Sequence, residues 1–234
     1  LKKNLLKVLL LATIMLLAAC GSDESENEVV NTSSEIEDTS NTTETTEEAI
    51  EEPIELSPED EMIQKITNLI YEGKAYDVGS YIQGDIPKGD YAFVTFDGSG
   101  EYYSEKDQAG DIVDNENFDS FGYVYVHGVG NIQTDGVLIK VSEIENLGVS
   151  NTKELFEILN QTGDFNGSAW YKVGTDIPEG QYVIESINDA YVAIMSGPVG
   201  NNKIIDNDNF NGKYSVSVKN GQYLVVSGGT ITKQ

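Results

Sequence analysis

Two short polar runs are the first candidates for chemistry: "DNENFD" from Asp114 and "DNDNFNG" from Asp206. They bring Asp114, Glu116 and Asp119 into one group, and Asp206, Asp208, Asn209 and Asn211 into another. Such hard oxygen donors suit calcium, which takes six to eight of them. Neither run carries an acid where a twelve-residue calcium loop needs its last ligand. Asp and Asn also close turns by bonding to nearby backbone, so a structural turn stands beside the metal reading. No other cofactor is implied.

Nucleophilic catalysis is poorly served. There is one histidine, His127, and one cysteine, Cys20. No G-x-S-x-G, H-E-x-x-H, phosphate loop or dinucleotide fingerprint occurs. A carboxylate pair of the glycosidase kind can be drawn from 40 Asp and Glu residues, but abundance makes such a pair cheap to draw. The expectation is no enzyme, with an envelope hydrolase as the alternative.

Elements must position these residues, and the chain begins by placing the whole protein. "LKKNLLKVLLLATIMLLAAC" offers Lys2, Lys3 and Lys7, then an apolar run from Val8 to Leu17. That run suits a signal peptide core better than a permanent membrane span. The closing "LAAC" resembles the lipobox of bacterial lipoproteins. The resemblance implies a signal peptide over 1–19, cleavage before Cys20 and a lipid on its thiol. Two acyl chains on that residue suffice for stable anchoring.

With three lysines in the signal, eleven of the 14 cations remain against 40 acids, and arginine is absent. Phosphate recognition depends on Lys and Arg, so nucleic acid is excluded as a partner. From Gly21 to about Ser57 the chain is rich in Ser, Thr, Asn and Glu and has no lysine. Too little apolar surface is present to offset ordering entropy, so residues 20–57 are expected to form a disordered tether.

Beyond the tether the chain repeats itself. "VGSYIQGDIPKGDY" pairs with "VGTDIPEGQY", with Tyr81 to Gly84 as an apparent insertion in the first copy. "IVDNENF" pairs with "IIDNDNF", and "DGVLIKV" from Asp135 with "NGQYLVV" from Asn220. Each "DIP-x-G" reads as a tight turn between strands, and Asn220-Gly221 as a hairpin turn. Helices are expected in two places. One begins at Ser57 and Pro58; the other has Ser150 or Thr152 as cap and Leu155, Phe156 and Leu159 as its apolar face. The chain therefore reads as mainly β, with two small β-sandwich or barrel-like modules, 58–147 and 148–234, each led by a short helix. The phrase resembles Y-x-V-G-x-D-I-P-x-G-x-Y modules of secreted and lipid-anchored proteins of Gram-positive bacteria. Such modules often occur in tandem and mostly lack an assigned activity.

Aligning the copies from the acidic runs sets Val124 and Val126 on Val216 and Val218. Tyr123, Tyr125 and His127 then fall on Ser215, Ser217 and Lys219. Side chains alternate across a strand, so the valines mark a shared inward face and the other set an outward one. One copy needs no aromatics there. Tyr123, Tyr125 and His127 are thus candidates for binding a glycan or protein, with cover by the first helix or by the second module as the structural alternative.

The expected whole is a lipid-anchored binding protein on the extracellular face of a cell membrane, with a purely structural surface role as a further alternative. Replacing Cys20 by Ser should block processing and move the protein out of the detergent phase in a partitioning assay. Unchanged partitioning would show that something other than the lipid holds it.

Overall fold

Ser57 opens the first helix as the sequence expects. Its hydroxyl accepts from the Asp60 amide at 3.1 Å, Pro58 occupies the first turn, and Met62, Ile66 and Leu69 are buried on one face. This helix, α1 (Pro58–Tyr71), packs on α2 (Thr152–Leu159), whose Leu155, Phe156 and Leu159 are buried. The cap of α2 is neither Ser150 nor Thr152 but Asn151, whose side chain accepts from the Glu154 amide at 2.8 Å. Glu154 answers by accepting from the amide of Ser150, the residue before the cap. The Thr152 amide has another use, described below.

The computed structural model describes residues 55–97 and 99–234. The signal segment, Cys20 and the tether up to residue 54 lie outside the described residues. Residues Leu56–Gln234 form one compact unit. In chain order its strands begin with β1 (Ala75–Tyr76), β2 (Gly79–Tyr81), β3 (Gly89–Val94), β4 (Tyr102–Asp107), β5 (Ile112–Asn117), β6 (Phe121–Val126), β7 (Gly130–Thr134) and β8 (Val137–Lys140). Four longer or later ones follow: β9 (Ala169–Lys172), β10 (Gly180–Met195), β11 (Ile204–Val218) and β12 (Tyr223–Lys233). The fold is mainly β, built of three antiparallel four-stranded sheets that do not close into a barrel.

The first repeat makes two of these sheets, ordered β1-β8-β3-β6 and β2-β7-β4-β5. The second makes one, ordered β9-β12-β10-β11. These are the same plan. Strands β10, β11 and β12 run through where the first repeat breaks into β3 and β4, β5 and β6, and β7 and β8. A register shift between Glu185 and Asp189 marks the place of the break. The registers agree pair by pair: Gly89 with Val126 and Gly180 with Val218, then Tyr91 with Val124 and Tyr182 with Val216. Even the bulge recurs, between Glu105 and Lys106 in one copy and Ile194 and Met195 in the other.

Register also corrects the sequence alignment in two places. Tyr81, not Tyr76, is the counterpart of Tyr171. Tyr81 pairs with Ile132 as Tyr171 pairs with Leu224, and each hydroxyl donates to the carbonyl four residues earlier. The Asp85 amide donates to Ile82 as the Asp176 amide donates to Lys172. The apparent four-residue insertion thus reduces to one extra residue, Thr175, in the second copy. Similarly, "DGVLIKV" does not match "NGQYLVV": Lys140 pairs with Tyr91 as Lys233 pairs with Tyr182. Asn220-Gly221 does form the expected hairpin turn between β11 and β12, with Gly221 at φ +84°.

The "DIP-x-G-x-Y" phrase is explained by packing. Ile86 and Ile177 are buried, and Gly89 and Gly180 sit at φ +155° and +146°, where other residues are strained. The Tyr91 hydroxyl donates to the Pro87 carbonyl at 2.7 Å, and Tyr182 to Pro178 at 2.6 Å. The phrase locks a turn onto the strand that follows it.

Both polar runs lie mainly in strands. The first four residues of "DNENFD" end β5, with Phe118 and Asp119 in the connection that follows, and "DNDNFNG" fills the first half of β11; each strand is an edge of its sheet. Charges and amides along an exposed edge discourage pairing with another chain. Replacing Tyr91 or Tyr182 by Phe should lower stability by about 1 kcal/mol each in urea unfolding, the net worth of one hydrogen bond. Loss at only one of the two positions would break the equivalence of the turns.

Candidate site between the repeats

Strand β6 decides where the repeats meet. Val124 and Val126 are fully buried on the inner face, as the alternation requires. The opposite face is covered at Phe121 and Tyr123. Phe121 stacks edge-on to Tyr171 at 5.3 Å and lies 5.6 Å from Phe156. On this face Tyr123 also meets Tyr223 at 5.5 Å; on the valine side, beside Gly122, Phe118 meets Trp170 at 6.0 Å. Tyr123 is only 3% exposed, so the outward-facing expectation fails for it: the second repeat covers this face.

Beneath Tyr123 lies Asp176, the acid of the second "DIP" turn. It accepts from the Tyr123 hydroxyl at 2.8 Å, the Lys172 amide at 2.7 Å, and the amides of Thr152 and Lys153 at 3.1 and 3.2 Å. One buried carboxylate thus ties β6, β9 and the first turn of α2 together. Burial pushes its pKa up to about 6 against the pull of its donors.

The free edge of β6 is closed by the hairpin joining β10 to β11. The Tyr125 amide donates to Val199 at 2.7 Å, and the Val199 amide donates to Tyr123 at 3.0 Å. Gly200 follows, where a Cβ would stand 2.5 Å from the Tyr125 carbonyl oxygen. Its amide donates to Asp114 at 2.7 Å. Tyr125 and His127 remain partly exposed, with their rings 5.3 Å apart. His127 is held by Glu105, a buried carboxylate that accepts from its amide and meets its Nδ1 at 3.0 Å. Glu105 also accepts from the amides of Gly128 and Val129, so it shapes the loop after β6.

A cleft of about 640 Å³ opens above this junction. Its floor includes Tyr91, Tyr123 and Tyr223, its walls Lys88, Lys140 and Lys172, and Pro198 closes one side. Asp90 is the one acid among the lining residues. The Lys172 ammonium lies 5.8 Å from the centre of the Tyr123 ring. Of the three residues singled out from sequence, only Tyr123 lines the cleft. Tyr125 stands beside it, beneath the Lys88 ammonium at 5.7 Å.

The other candidates lie apart from it. Asp206, Asp208 and Asn209 are exposed on β11, and Asp114 is committed to Gly200 and the Asn115 amide. Among the described residues no three acids, histidines or cysteines gather as a metal cage. Glu116 and Asp119 share a smaller hollow of about 260 Å³ with Trp170 and Tyr191. Burial raises the Glu116 pKa, and the charges of Asp114 and Asp119 add to the effect.

No family model, curated protein or solved structure matches this chain.

The raised Asp176 predicts a pH dependence. The protonated carboxyl is the form the fold prefers, so its contribution is full below the ordinary value of 3.8 and is lost as pH rises through about 6. The stability of the protein relative to an Asp176→Asn variant should therefore fall by roughly 2–3 kcal/mol from about pH 4 to about pH 7. Taking this difference cancels the other carboxylates. Urea unfolding of both proteins across that range checks it, and a flat difference would contradict it.

Proposed function

We propose that this chain is a lipid-anchored binding protein without catalytic activity, held at the extracellular face of a cell membrane through Cys20. It presents the cleft between its two repeats to a glycan or protein of the cell envelope. One observation carries the reading: the cleft is lined at positions where the two copies differ. Tyr123 answers to Ser215, Lys88 to Glu179, Lys172 to Ile82, and Tyr223 to Asn131, on the register set by the strands. The other copy folds without lysine at the positions of Lys88 and Lys172 and without tyrosine at that of Tyr223, so these three are available for a ligand, while Tyr123 is committed to Asp176. A cavity of about 640 Å³ falls within the range of small-ligand and polymer-segment sites.

A second reading has its own support. Glu116, raised by burial, lies with Asp119 and Trp170 in one hollow, the arrangement that a carboxylate-pair hydrolase uses. One experiment separates the two. Capture of purified wall glycan by the mature chain should be lost in Tyr223→Asn, which installs the residue of the equivalent position, while the thermal melt stays cooperative. Undiminished capture by that variant would sink the cleft reading. Glycan consumption that stops in Glu116→Gln would replace the binder with the hydrolase.

A further inference from the structure

The charge of the cleft runs against the charge of the protein. The chain carries a net charge of −26, yet three lysines and one aspartate line this cavity. Three of the lysines elsewhere are paired, whereas Lys65, Lys106, Lys203, Lys219 and Lys233 enter no ion pair among the described residues. Lys74 lies 2.8 Å from Glu72, Lys153 lies 2.7 Å from both Glu157 and Asp164, and Lys213 lies 3.3 Å from Glu185. Among the described residues, Lys88, Lys140 and Lys172 enter no ion pair within 4.0 Å. Lys140 and Lys172 are half-buried, where an ammonium loses hydration. Like charges gathered in a concave, partly dry wall repel one another and focus a positive potential into the space they share.

Comparison of the copies shows that the fold does not ask for this. Lys88 stands in the "DIP-x-G" turn where the second copy has Glu179, an opposite charge on the same backbone. Lys172 stands where the first copy has Ile82, with the same turn bond from its amide to the following Asp. Only Lys140 has a lysine, Lys233, as its counterpart. Two of the three cations are thus substitutions at positions whose turn bonds are made in both copies.

We infer that the cleft between the repeats takes an anionic ligand, a phosphate or carboxylate group held by Lys88, Lys140 and Lys172 with an adjoining hydroxylated portion at Tyr223. This rests on the cleft being a binding site at all and adds the chemical class of what enters. The floor supports the second part. Tyr223 forms no hydrogen bond through its hydroxyl to the described residues, while its ring packs against Tyr123, whose own hydroxyl is spent on Asp176. Tyr223 is buried but for 7% of its surface, so what it offers is its hydroxyl, and a charged group at the lysines with a hydroxylated portion at that hydroxyl satisfies both halves of the cavity. The same anionic chemistry occurs free and on polymers, and the probes distinguish the two.

The test is titration calorimetry of the mature chain with four probes: inorganic phosphate, poly(glycerol phosphate), polygalacturonate and neutral dextran. At least one anionic probe should bind and dextran should not. Heat with inorganic phosphate equal to that with the polymers assigns a free anion; heat with a polymer alone assigns a polymer-borne group. Lys88→Glu and Lys172→Ile, each copied from the other repeat, should weaken binding by about tenfold or more. Lys106→Glu makes the charge change of Lys88→Glu, and a larger one than Lys172→Ile, at a side chain lining a different hollow and should leave affinity within about twofold. Equal losses in all three variants would trace the effect to overall charge and overturn the assignment. So would binding that ignores the cleft lysines, or no binding by any anionic probe. Dextran binding that Tyr223→Asn abolishes would overturn the anionic class while leaving the cleft as the binding site.

Discussion

A buried carboxylate cannot stay buried without donors, and Asp176 finds its donors on three separate elements. Two come from the first turn of α2, one from β9 within the same repeat, and one from Tyr123 in the other repeat. The helix amides would otherwise be orphaned, so the acid and the helix end solve each other's problem. Tyr123 joins because its hydroxyl, once covered by the second repeat, needs an acceptor. The position of α2, the burial of the tyrosine and the floor of the cleft all follow from that one group. Asp85, at the same place in the first "DIP" turn, is exposed and accepts only from its own loop, at Ile82. One residue type thus serves a local turn in one copy and a junction in the other.

The two copies divide the chain's residues into those the fold requires and those it tolerates. Ile, Pro, Gly and Tyr of the repeated phrase perform the same tasks twice, down to the hydroxyl–carbonyl bond. Their repetition reports packing and carries no information about a ligand. What distinguishes the protein lies at paired positions that disagree, and these collect around the junction: Tyr123 against Ser215, Lys88 against Glu179, Glu105 against Ile194. The last pair is instructive. A buried isoleucine in one repeat becomes a buried glutamate in the other, and it is tolerated because three amides and an imidazole of the loop after β6 satisfy it.

Much of this was legible in the residues. Periodicity placed both helices, alternation placed the β6 and β11 valines inward, and the duplicated phrase announced two copies of one plan. The face of Tyr123 was less readable, because alternation says which side a residue points to and not what lies there. Packing of the second repeat was named as an alternative, and it prevails for Tyr123. The cleft was hidden for a different reason. Its two walls belong to different repeats, and the alignment of identical letters set Tyr76 against Tyr171, which displaced Lys172 from its true counterpart Ile82. Strand register, a property of backbone hydrogen bonds, corrected what letters alone had misplaced. The acidic runs misled in the same way: Asp and Asn mark turns often enough that their use on sheet edges went unread.

The closure of the β6 edge by Val199 orders events in time. Chain leaving a ribosome or crossing a membrane does so from its N-terminus, so the first repeat emerges with Phe121–Val126 as an unpaired edge. No residue of that repeat supplies the missing pairing; it arrives only with the hairpin between β10 and β11. During that interval the hazard of pairing with another chain is greatest. The junction is therefore also the place where that exposed edge is removed, and the cleft exists only with both repeats in place.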